Sequence, residues 1–192
     1  MLNAIFGTLS SGAPPVAPNS YESISTVTVG LLGATSIDFT SIPSTYKHLQ
    51  IRGISRGNRA NTEDIIGIQF NGDTTSTNYY SHRVLGDGAN AGGGAQTSAS
   101  GFPCAWAFDT PSATATANVF TALVIDILDY TNTNKQKQGR TLAGYDGNGS
   151  GFLALASQLW MSTSAISSIS LLPEYGTGFV QYSSFALYGI KG

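Results

Sequence analysis

Residues 21–56 read YESISTVTVGLLGATSIDFTSIPSTYKHLQIRGISR, Tyr21 to Arg56. Three short runs rich in Val, Ile, Thr, Phe and Tyr are broken at Gly30–Gly33 and at Ser41–Thr45 around Pro43. Branched and aromatic side chains suit a pleated, half-buried surface, and Gly and Pro mark where the chain turns. The stretch therefore predicts consecutive β-strands near 22–29, 35–40 and 46–54. In the third, Leu49 and Ile51 fall on one face and His48, Gln50 and Arg52 on the other.

The same grammar runs to residue 192. Ile66, Ile68 and Phe70 alternate with Gly67 and Gln69 and lead into Asn71-Gly72-Asp73, a hairpin-type turn sequence. Tyr79, Tyr80, His82 and Val84 suggest a further strand. Residues 85–101, LGDGANAGGGAQTSASG, predict a long loop, either a contact loop or padding. Strands are expected at 102–108 and 119–129, and VFTALVIDILDY, the most continuous apolar run, reads as a central strand buried on both faces. Asp126 within it must be hydrogen-bonded or point outward. TNTNKQKQ, 131–138, reads as a polar hairpin tip. FLALASQLWM, 152–161, fits helix or strand by periodicity, and the β-type runs that follow favour strand. The last run, apolar on alternate residues of both parities, should be buried or covered by a neighbouring subunit. The predicted fold is all-β: an antiparallel β-sandwich of jelly-roll type with an extended N-terminal arm.

That arm is residues 1–20, against a β-domain of 21–192. Leu2, Ile5, Phe6 and Leu9 fit one face of a short helix, and Pro14, Pro15 and Pro18 then impose an extended spacer. About nine residues are too few for an isolated helix in water, so this element needs a surface. It either docks into another subunit as an anchor, or is a disordered terminus or a patch folded back on its own domain.

Charged residues make up 10% of the chain, against roughly 25% in average globular domains. The surface must be covered mainly by Ser, Thr, Asn, Gln and Gly, which can be buried at modest cost when hydrogen-bonded. A net charge of -2 offers no basic patch for nucleic acid. Lys47, Arg52, Arg56 and Arg59 read as a solvated edge or an intersubunit contact. No run approaches the ~18 apolar residues of a membrane span. Cys104, the single cysteine, sits in apolar FPCAWAF and reads as a buried, inert thiol.

No catalytic constellation, metal site or cofactor is expected. His48 and His82 are the two histidines, and neither neighbours a recognisable nucleophile. Asp146-Gly147-Asn148-Gly149-Ser150-Gly151 copies the opening of a calcium loop, but the acid that should close it is Ser157, so a Gly-rich turn is the better reading. Trp160 and Phe185 are expected in the core. Among aromatics that could stack on sugar rings, Tyr79 and Tyr80, with His82 and Asp87 nearby, form the candidate glycan or contact surface.

The pattern of Tyr21–Gly53, together with LWMSTSAISSISLLP at Leu159–Pro173 and FVQYSSFALYGIKG at Phe179–Gly192, resembles small structural proteins of tailed bacteriophages, especially phages of aquatic bacteria. The resemblance spans most of residues 21–192 and rests on strand and turn motifs. It implies a virion-surface protein without enzymatic activity: a tail or head fibre or adhesin held by its N-terminal arm, or alternatively a capsid cement protein. The partners implied are other virion proteins, further copies in a dimer or trimer, and host surface glycan.

Overall fold

A computed structural model describes residues 20–97 and 100–192, so the arm with Leu2, Ile5, Phe6 and Leu9 lies outside the described residues. The chain is all-β. Its strands are β1 (Tyr21–Thr28), β2 (Ile37–Phe39), β3 (His48–Ser55), β4 (Glu63–Phe70), β5 (Tyr79–Gly86), β6 (Ala91–Gln96), β7 (Ala105–Pro111), β8 (Thr121–Leu128), β9 (Lys137–Asp146), β10 (Gly151–Trp160), β11 (Ile169–Pro173) and β12 (Ser184–Ile190). Two antiparallel sheets result, an eight-stranded one ordered β1-β12-β3-β8-β9-β10-β5-β6 and a four-stranded one ordered β2-β11-β4-β7.

The sheets face each other across one core, as in a sandwich. Leu49, Ile51, Leu123, Ile125, Phe185 and Leu187 of the broad sheet meet Ile37, Phe39, Ile66, Ile68, Phe70 and Leu171 of the narrow one. Each such side chain contributes ~1.5–3 kcal/mol on leaving water. Trp160 and Phe185 are buried there, as the sequence suggests, and so is Cys104, whose thiol is pushed up to about 12 by burial.

A narrow sheet ends in free edges, and unpaired backbone groups on a buried edge are expensive. At β7 the broad sheet supplies side chains instead of a strand. Gln96 Nε2 donates to the Cys104 carbonyl at 2.7 Å, and its Oε1 accepts the Trp106 N–H at 2.9 Å. Gln158 Nε2 donates to the Trp106 carbonyl, and Thr121 Oγ1 to that of Asp109. Arg83 grips the Asp109 carboxylate with Nη1 2.7 and 2.6 Å from its two oxygens. Ala143, Ala154 and Ala156, also buried on these strands, keep side-chain bulk low beneath β7.

Four expectations need correction. Residues 85–101 are not one loop: β5 continues to Gly86, and β6 pairs with it from Ala91 to Gln96. Gly and Ala carry no strand signature, and on an edge strand the ladder bonds to β5 suffice without side-chain packing. β8 is buried on one face only, because the narrow sheet covers one side of the broad one; Leu123, Ile125 and Ile127 point in, whereas Ala122 and Leu128 are exposed. Asp126, on its outer side, accepts from Gln50 and Arg140. The supposed polar tip at 131–138 ends in the fully buried Lys137, whose ammonium donates to the carbonyls of Asn132, Lys135 and Thr163. Finally, Arg56 is not a surface cation; it is buried.

Gln96→Leu should cost ~1–3 kcal/mol, because it strands the Trp106 N–H beside an apolar group; urea unfolding checks this. Acid should also loosen the fold. Burial pushes the Asp73 carboxyl up, but bonds from Trp160, Asn78 and Thr75 outweigh it and hold the group at about 2. Lys135 and Lys47 hold Asp129 at about 2 as well. Both folded-state values lie below the unfolded ~3.9, so their contribution is full above that pH and is lost as pH falls towards 2. Asp73→Asn/Asp129→Asn should therefore show a smaller drop in urea midpoint between pH 4 and pH 2 than the wild type.

Candidate functional site

Strict antiparallel order gives the molecule two poles. Tyr21, where residues 1–20 join, lies at one pole with the connections 40–47, 71–78, 129–136 and 161–168. At the other lie 29–36, 56–62, 87–90, 112–120, 147–150 and 174–183. Those loops form a braced crown. Ala34 and Phe179 exchange two backbone bonds, and Ser112 and Ala113 N–H groups reach the carbonyls of Thr62 and Arg59. Asn58 Oδ1 accepts from the N–H groups of Thr177 and Gly178 at 2.9 and 3.0 Å. The buried Asp64 carboxylate accepts the Gly176 N–H at 2.8 Å, and a Cβ on Gly176 would lie 2.6 Å from that oxygen, which leaves room only for glycine.

Arg56 is the centre of this crown. Its Nη1 donates to the carbonyls of Thr116 and Val119 at 2.7 and 2.9 Å, and its Nη2 to those of Ser112 and Ala115 at 2.7 and 3.0 Å. A planar fork with fixed donors can satisfy four converging carbonyls, which ties down the whole 112–119 loop. Outside this frame, Arg59 stacks 4.2 Å above the exposed Tyr175 ring, and Tyr182 is 67% exposed.

The second feature is the outer face of the broad sheet. Cross-strand register sets its side chains in rows. One row includes Arg52, Val124, Leu142, Leu155 and Val84, and the next, towards the crown, Ile54, Ala122, Gly144, Leu153 and Gly86. On the other side runs a polar row of Gln50, Asp126, Arg140, Ser157 and His82. Because the crown-side row is built from small residues flanked by Ile54 and Leu153, it forms the floor of a wide, open hollow of about 1220 Å³ that takes in Arg52 and, on β12, Ser184, Ala186 and Tyr188, and reaches the Asp87 and Asp146 turns. A smaller hollow of about 560 Å³ over Leu142, Leu155 and Val84 adjoins it.

The four residues singled out by sequence do not converge. Tyr79 is fully buried, with its hydroxyl donating to the Asp73 carbonyl at 3.0 Å, so it presents no platform to a sugar. Tyr80 and His82 lie on the outer face, on β5. Asp87 sits at the crown, about 23 Å along from Tyr80 at ~3.3 Å per residue, and its Oδ1 is spent on the N–H groups of Ala89 and Asn90, which hold the carboxyl below its usual range. Asp146 likewise accepts the Asn148 N–H within its own turn. Among the described residues no group of three or more His, Cys, Asp or Glu is placed to hold a metal.

The sequence reading missed the hollow, whose floor is made of residues without chemistry. It also passed over Leu31 and Leu32 as part of a strand break, although two large apolar residues in the middle of a tight turn were a legible signal. In comparison with known proteins, the chain matches no family model and no curated protein.

Arg56→Lys should lower the unfolding free energy by on the order of 2–3 kcal/mol, since a point-like ammonium cannot bridge four carbonyls spread across a loop. Arg56→Met should cost more. Denaturant unfolding of the three proteins gives the ranking.

Proposed function

We propose that this chain is a non-enzymatic structural protein of a bacteriophage particle: an exposed appendage module of the tail- or head-fibre kind, anchored by residues 1–20 and presenting its crown outward to the host surface. The observation that carries this reading is the polarity of the molecule. The arm joins at one pole, and the two most exposed large apolar residues, with Tyr175 and Tyr182, project from the other. A tethered module needs that separation of attachment from contact.

The strand order supports a jelly-roll reading of the fold. The hairpins β5–β6 and β9–β10 together form one flank of the broad sheet. Without them the remaining strands run β1-β12-β3-β8 over β2-β11-β4-β7, which is the order of a jelly roll. That architecture serves viral capsid and lectin domains alike, so it is compatible with the proposal but does not select it. The absence of catalysis is proposed on how the reactive groups are used. The Cys104 thiol is buried, Asp73 holds Trp160 Nε1, Asp129 holds Lys47 and Lys135, and Asp109 holds Arg83. In this role the exposed aromatics of the crown replace Tyr79 as the rings available to host glycan, and many weak contacts would add through copy number.

A capsid cement role is the second reading, favoured by the broad, partly apolar outer face, which could lie flat against a shell. Immunogold electron microscopy of intact particles separates the two: label at the tail or on projecting fibres is expected, and label spread over the head would replace the appendage reading with cement. Deleting residues 2–15 should give a folded protein that no longer joins particles; incorporation of the truncated chain would refute the anchor.

A further inference from the structure

Asn-Gly occurs twice in the chain, at Asn71-Gly72 and at Asn148-Gly149. Both asparagines sit in turns with φ in the left-handed region, +52° and +64°, which Asn tolerates better than most residues. A glycine after asparagine leaves its backbone nitrogen unshielded, and asparagine side chains are among the labile groups of proteins. The two steps differ in what holds them.

Asn71 is locked. Its Oδ1 accepts the Ser167 and Ser168 N–H groups at 2.8 and 3.1 Å, and its Nδ2 donates to the Ala165 carbonyl at 2.8 Å. Asn148, at the tip of the β9–β10 hairpin, is exposed. The bonds that close this turn run from the Gly147 N–H to the Ser150 carbonyl and from the Asn148 N–H to Asp146 Oδ1, and Thr116 Oγ1 ties the Gly147 carbonyl to the 112–119 loop. Among the described residues, none bonds to the Asn148 side chain or to the Gly149 N–H. A Cβ on Gly149, as on Gly72, would meet nothing within 4 Å, so access to the nitrogen is equal and the freedom of the amide decides. Ring closure needs rotation about the Asn148 Cα–C bond and its χ1, and no side-chain bond resists either.

We propose that Asn148 is a site of spontaneous deamidation and that the fold protects Asn71 from the same reaction. The Gly149 N–H gives its proton to hydroxide, and the nitrogen bonds to Cγ of Asn148. The Cγ–Nδ2 bond breaks and Nδ2 leaves as ammonia, with a proton from water, so a five-membered succinimide remains. Water then opens the ring at either carbonyl. Opening at Cγ yields aspartate, and opening at the backbone carbonyl yields isoaspartate, in which the chain runs through Cγ. Either product adds one negative charge to a chain of net charge -2. It does so at the crown rim of the outer-face hollow, whose lining already includes Asp87 and Asp146. Isoaspartate also lengthens a hairpin tip that is bonded through Gly147 to the loop centred on Arg56. The inference needs only the two turns and stands whether or not the chain belongs to a virion.

The test incubates the full folded chain in mildly alkaline buffer and follows its tryptic peptides by mass spectrometry, with electron-transfer fragmentation to tell aspartate from isoaspartate. Asn148 is the single asparagine of peptide 141–191, and Asn71 lies in 60–83. Peptide 141–191 should gain the amide-to-acid mass change with time, mostly as isoaspartate and faster as pH rises, and Asn148→Gln should abolish it. Asn71 should convert ~10-fold or more slowly, because its bonds must break first. In concentrated urea the two rates should come together. An intact Asn148 after incubation would overturn the proposal. So would equal rates at the two sites in the folded chain. An Asn71 that stays slow in urea would overturn it too, since its protection would then lie in the local sequence and not in the fold.

Discussion

The free edge of β7 is the constraint around which the rest of the molecule is arranged. A four-stranded sheet under an eight-stranded one leaves a row of backbone groups buried with no strand to pair them. Gln96, Gln158 and Thr121 meet those groups with side-chain donors and acceptors, and Arg83 adds a nearly buried ion pair with Asp109. This works only if the flank of the broad sheet carries small or polar residues on its inner side, which is what Ala143, Ala154, Ala156, Ser81 and Thr141 provide. The hairpins β5–β6 and β9–β10 thus do two things. They shield the narrow sheet's edge, and they widen the outer face beyond anything the narrow sheet could cover.

Two buried cations, Arg56 and Lys137, hold one pole each, and both are satisfied by carbonyl oxygens. Burying a charge without a counter-ion is tolerable where several dipoles converge on it, and burial accordingly pulls the affinity of both groups for their protons below the usual range. What is gained is loop order. Residues 112–119 contain little that could pack, so the Arg56 fork fixes them where a hydrophobic anchor is lacking, whereas in 129–136 the fully buried Tyr130 is the anchor and Lys137 adds bonds beside it. A fixed crown presents its exposed rings and leucines without first having to order them, which lowers the entropic cost of any contact made there.

Much of the fold was legible because alternation survives wherever one face of a strand is buried. β1, β3 and β4 follow from it, whereas β12 is apolar on both parities and the strand character of FLALASQLWM came from the β-type runs that follow it. What failed was information that lives between elements. Nothing in VFTALVIDILDY says whether a second sheet covers its far side. Nothing in AGGGAQ says that Gln96 will bridge to β7. Tyr79 and Tyr80 differ only in parity, and parity sends one into the core and the other to the outer face. Cations were read as surface groups because that is where they usually lie; the carbonyls that hold Arg56 come from a loop distant in sequence, and Lys137 joins two carbonyls of its own loop to that of Thr163.

The candidate site was the least legible part for a related reason. Chemically active side chains are what a sequence displays most plainly, and this surface is made by residues with almost none. Ala122, Gly144 and Gly86 matter because they are small enough to let a hollow form between larger neighbours, and Leu31 and Leu32 stand out because no described residue covers them. In a protein with so few charges, shape and apolar complementarity are the recognition elements left to it. The low charge also removes a barrier, because a net charge of only -2 brings little like-charge repulsion to any surface the chain meets. The composition that made the chain look uninformative thus leaves shape and apolar surface as its most distinctive features.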